Sequence, residues 1–97
     1  MPYTNRMKDR TSETIQILGK EYAILRLSDV EMGGDMGTSD QGRAVIRINK
    51  DKTQDQQEET LLREVIHMVS QELVLDISEE TTARLAVGLY SAWYGHG

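Results

Sequence analysis

The sequence predicts an α+β fold: a small antiparallel three-stranded sheet followed by two packed helices. Three observations carry the expectation. Apolar residues sit at extended spacing over residues 15–27 and 44–48, and they recur at steps of three and four over 58–73 and again beyond 78. The two patterns are also segregated along the chain, strands first and helices second.

Residues 1–12 are polar and unpatterned and are expected to form a flexible N-terminal arm, leaving 13–97 as a single domain. Ile15 and Ile17, then Tyr22, Ala23, Ile24, Leu25 and Leu27, flank the turn-like pair Gly19-Lys20, which reads as a hairpin of two strands. The glycine-rich stretch from Met32 to Gly42 has no periodicity and is expected to be a flexible loop, with Met32 and Met36 either folded over the helices or facing a partner. Ala44, Ile46 and Ile48 alternate with Arg43, Val45 and Arg47 as a third strand.

Lys50 to Gln57 reads as a polar connector, with Glu58-Glu59 as the acidic first turn of the helix that follows. Leu62, Val65, Ile66, Val69 and Leu73 mark the apolar stripe of that helix, which is expected to end near Leu75. Ser78 with Glu79 and Glu80 has the character of an N-cap and acidic first turn. The second helix carries Thr82, Leu85, Ala86, Leu89 and Trp93 on one face.

Composition excludes several classes of function. The chain has 97 residues, no cysteine, and 11 Lys plus Arg against 16 Asp plus Glu, for a net charge of −5. Thiolate metal sites and disulfides are therefore absent. The acidic balance argues against nucleic acid or an anionic membrane as a partner, and Lys8, Arg10, Arg43, Arg47, Lys50 and Lys52 are dispersed among acids. Apolar runs of only a few residues predict no membrane span. The polar N-terminus lacks the apolar core of a signal peptide, and a cytoplasmic location is expected.

The chemistry is concentrated in Thr60-Leu-Leu-Arg-Glu-Val-Ile-His67. In a helical H-E-x-x-H motif two imidazoles one turn apart hold a zinc ion, and the glutamate activates its water. Here Glu64 and His67 stand in the second half of such a motif, while the first position is Arg63. The spacing by itself also describes an ordinary polar helix edge.

The wider pattern is more specific. Ile15-Gln-Ile-Leu-Gly19 with Tyr22 precedes the Thr60–His67 helix, and Leu73-Val-Leu-Asp-Ile-Ser78 leads into Glu79-Glu-Thr-Thr-Ala-Arg-Leu-Ala-Val-Gly-Leu-Tyr90. Across roughly residues 13–93 this order resembles small phage and prophage proteins related to the ImmA/IrrE-like zinc metallopeptidases, the mini-zincins. The resemblance implies a zincin-like minimal core, with Glu64 at the general-base position and His67 at a zinc-ligand position. It places the third ligand at the start of the next helix, at Glu79 or Glu80. Helical geometry favours Glu79, which lies near the stripe of Ala86, Leu89 and Trp93, whereas Glu80 points about 100° away at 3.6 residues per turn.

Arg63 is the departure from the family pattern. A guanidinium remains protonated and has no lone pair to give. At about 5 Å and an effective dielectric near 20, its repulsion of a divalent ion is roughly 6–7 kcal/mol, against about 10–16 kcal/mol for an intact structural zinc site. The expectation is a site without zinc, holding no cofactor, in which Arg63, Glu64 and Glu79 form a compensating ion-pair network.

Two functions follow. One is a catalytically silent, zincin-like phage protein that binds a protein partner, as an antagonist of a host factor. The other is an active minimal zinc metallopeptidase with a non-standard ligand set, in which His96, Asp35 or Asp40 completes the site and the segment 30–42 borders the cleft. Trp93, Tyr90 and Tyr94 form an aromatic cluster near the chain end that reads either as core or as the anchor of an oligomer or partner contact.

Overall fold

The structure, a computed structural model, describes residues 13–94. The N-terminal arm expected over 1–12, and His96, lie outside the described residues. β1 (Thr14–Ile17) and β2 (Lys20–Leu27) form the expected hairpin, paired antiparallel with Ile17 opposite Lys20. Its turn residues Leu18 and Gly19 both take positive φ, 52° and 83°, which matches the twist of the strands they join.

A short helix, α1 (Asp29–Met32), follows, with Ser28 and Glu31 forming a reciprocal capping box and Gly33 closing it in the left-handed conformation. Then come β3 (Gly37–Asp40), β4 (Val45–Asn49), α2 (Gln54–Glu72) and α3 (Glu79–Tyr94). The sheet has four strands in the order β1-β2-β4-β3. β4 pairs parallel with β2, Ile46 beside Ile24, and antiparallel with β3, Ile46 beside Ser39.

The α+β class stands, but the sheet is mixed and four-stranded, where three antiparallel strands were expected. Part of the expected loop over 32–42 is the edge strand β3. Its sequence, Gly-Thr-Ser-Asp, carries no apolar alternation, so pairing with the exposed edge of β4 decides its structure in place of local propensity.

One face of the sheet carries the core. Ile17, Tyr22, Ile24, Ile46 and Ile48 are buried with Met68 of α2, and Ile15, Ala44, Leu61, Val65 and Val69 pack around them. The buried stripe of α2 therefore passes through Leu61, Glu64, Val65, Met68 and Val69, and Leu73 lies beyond the helix, exposed. The helix also begins earlier than Glu58: Thr53 caps it, accepting from the Gln56 N–H while Gln56 Oε1 accepts from the Thr53 N–H. Asp55, not Glu58 or Glu59, is the acid of its first turn.

α3 packs on α2. Thr82 and Ala86 are buried in this contact, whereas Leu85, Leu89 and Trp93 are exposed, Trp93 at 69%. The core reading of Trp93 is thus corrected: Tyr90 already meets Asp55 at the start of α2, so the turn that carries Trp93 lies at the end of the helix pair, where the indole is exposed. Tyr90 is held differently, its hydroxyl donating to Asp55 Oδ1 at 2.7 Å at the start of α2.

Polar links at both ends of β2 fasten the sheet to α2. Arg26 binds both carboxylate oxygens of Glu13 at 2.7 and 2.8 Å and donates to Gln57 Oε1 at 2.7 Å. At the other end Lys20 Nζ donates to Glu72 Oε2 at 3.3 Å and to the Gln41 carbonyl at 2.8 Å. Among the described residues no helix is long and apolar enough to cross a membrane.

Candidate functional site

A buried asparagine sets the position of β3. Asn49, with no exposed surface, donates through Nδ2 to Asp29 Oδ1 at 2.7 Å and to the Asp35 carbonyl at 2.9 Å. Its backbone N–H donates to the Met36 carbonyl at 2.9 Å. α1 and the residues entering β3 are thereby tied to the end of β4, and the chain enters β3 in one register.

Alternation along β3 then directs Gly37 and Ser39 toward α2. A side chain at position 37 would meet the Thr60 methyl, and it would lie 3.3 Å from the Arg47 carbonyl oxygen and 3.4 Å from Glu64 Oε2. The bare glycine is what allows the strand to lie so near the helix. One step along, Ser39 Oγ donates to Glu64 Oε1 at 2.7 Å.

Between β3 and the two helices lies a cavity of about 400 Å³, lined by Gly37, Thr38, Ser39, Arg63, Glu64, His67 and Glu79. The four helical positions singled out in the sequence are thus brought to one place. Glu64 is 8% exposed, Arg63 and His67 are half-buried, and Glu79 is exposed at the start of α3. Glu80 stands apart and pairs with Arg84 at 2.8 Å. A second cavity of about 70 Å³ lies beneath α3, lined by Met36, Thr60, Ala83 and Ala86 among others, and Arg63 borders both.

The contacts within the site are few. His67 Nε2 and Gln71 Nε2 share a hydrogen bond of 3.3 Å. Among the described residues Arg63 forms no ion pair with Glu64 or Glu79. The expected network is therefore not made; the three charges share the cavity without touching. Asp35 and Asp40 do not line it. Asp40 instead accepts from the Arg43 N–H at 3.0 Å, closing the turn into β4. Trp93 and Tyr90 lie outside the cavity as well.

Arg63 has no lone pair to offer a metal ion, and among the described residues no three His, Asp or Glu side chains are grouped to hold one.

The wall contributed by Gly37, Thr38 and Ser39 was not singled out from the sequence, beyond the expectation that 30–42 borders a cleft. The usable signal was small residues two apart, Gly37 and Ser39, ahead of a strand with an open edge. Comparison of the chain with protein-family models, with curated proteins and with solved structures finds no match.

Proposed function

We propose that this chain is a catalytically silent, zincin-like, phage-type protein that acts by binding a protein partner, in the role of a host-factor antagonist. The supporting observation is the company kept by Arg63. It borders one cavity with Glu64, His67 and Glu79, so a fixed cation stands among the groups that, in the resembling peptidases, would serve a metal. Polar walls and an open edge strand suit this cavity to recognition of another chain. Glu64, held by Ser39, then serves as a binding and positioning group.

Metal analysis of untagged protein purified without chelator tests the reading, paired with a peptidase assay. The expected result is a trace of zinc well below one per chain and no hydrolysis. About one zinc per chain with peptide cleavage would overturn it in favour of the active minimal metallopeptidase. Arg63→His supplies the complementary result: zinc affinity is expected to appear in the variant.

A further inference from the structure

We infer that the cavity between β3 and α2 receives a basic side chain, lysine or arginine, of the protein partner; the inference rests on the protein-binding reading above. Its lining carries two carboxylates, Glu64 and Glu79, against one guanidinium, Arg63. Counting His67 as neutral, the cavity has a net charge of −1 on a chain of −5. A cation approaching it is attracted both by the whole molecule and by the site.

Glu64 supplies the directional part. Its Oε1 accepts from Ser39, while no hydrogen-bond donor reaches Oε2 among the described residues. Among the described residues no fully buried side-chain oxygen lacks a partner, so Oε2 is not fully enclosed, and Glu64 lines the cavity. A mostly buried carboxylate that lines a cavity and has one oxygen without a donor is a strong acceptor for an ammonium or guanidinium donor. Glu79 faces the same space from the start of α3 and forms no ion pair among the described residues. Arg63 opposes the incoming cation; it lines both this cavity and the smaller one beside Glu59. An anionic ligand on Arg63 would have to be placed against two carboxylates.

The test uses the isotope-labelled full chain and acetylated, amidated pentapeptides of alanine with arginine, lysine, norleucine or glutamate at the centre. Backbone amide shifts of Ser39, Glu64 and Glu79 in heteronuclear NMR are the readout. Saturable shifts are expected with the arginine and lysine peptides and not with norleucine or glutamate. Glu79→Gln, an exposed change that leaves folding intact, is expected to weaken binding about tenfold, and Arg63→Gln to strengthen it several-fold. Equal response to norleucine, stronger response to glutamate, no response to any peptide, or weaker binding by Arg63→Gln would each overturn the inference. A saturable response to the glutamate peptide alone would leave the protein-binding reading in place, whereas zinc loading with peptide cleavage would remove that reading itself.

Discussion

The Tyr22 hydroxyl donates to Glu72 Oε2 at 2.9 Å, joining a fully buried residue of β2 to the last turn of α2. The ammonium of Lys20 bonds the same oxygen and lies 5.4 Å from the centre of the Tyr22 ring. One carboxylate at the end of α2 thus gathers two side chains of the first hairpin, and its protonation and that of the phenol are linked to folding.

Burial first, and then the bond to Glu72, push the Tyr22 hydroxyl from 10.0 up to about 12. A raised phenol pKa means that the neutral form is the one stabilised. The contribution, about 2–3 kcal/mol, is complete below about pH 10 and is lost as pH rises through about 12. Tyrosinate absorbance is expected to show one of the four tyrosines ionising together with alkaline unfolding. Tyr22→Phe should remove that step and lower stability by about 1.5–3 kcal/mol.

At the acid end the sign reverses. The hydrogen bond from Tyr22, followed by those from Gln41 and Lys20, holds the Glu72 carboxyl below its ordinary 4.5. The bond from Arg26 lowers Glu13 in the same way. Both contributions are present above about pH 4.5 and fade as pH falls through the lower folded values. Urea midpoints are expected to drop on acidification below that range, and less steeply in Glu13→Gln, whose own cost at neutral pH is about 0.5–1 kcal/mol.

Gly37→Ala should cost about 1–3 kcal/mol, because the new methyl is driven into the Thr60 side chain. Thr60→Ser deletes the opposing methyl and is expected to restore part of the loss. Thermal melting of the two single variants and the double variant measures the coupling. Additive losses would show that Gly37 is not held against Thr60.

Val74 is 88% exposed with φ of 55°, a left-handed conformation that its β-branched side chain opposes. Val74→Gly removes the clash and sacrifices little packing. Stability is expected to rise by about 0.5–1 kcal/mol after the entropy of glycine is subtracted, or several degrees in melting temperature.

Where residues obey one periodicity, the fold was legible. Ile15, Ile17 and the Tyr22–Leu27 run marked the hairpin because a half-buried strand needs alternation, and Ser78 marked the start of α3 because its hydroxyl caps the Thr81 N–H. β3 was hidden because its partner, not its own residues, makes it a strand. The buried stripe of α2 was read in part: Val65 and Val69 pack on the core, whereas Glu64 and Thr60 are polar yet face inward, toward Ser39 and Gly37. Arg63, Glu64, His67 and Glu79, the positions to which the resemblance pointed, line one cavity, although their spacing alone would equally describe a polar helix edge. The distances separating their charges depend on how α3 lies on α2, which no local pattern encodes.

The parallel seam between β2 and β4 has a consequence for how the chain assembles. Each outer strand joins its inner neighbour through a short turn, but the two inner strands meet only after a loop of about 20 residues has closed, which carries an entropic cost of several kcal/mol. Neither hairpin presents a complete apolar face alone: Ile24 comes from one and Ile46 and Ile48 from the other. The two halves of the sheet and the helix that covers them are therefore committed together. β3, the wall of the cavity, belongs to the second half and acquires its place only when that commitment is made. The cavity is in this sense a late product of folding.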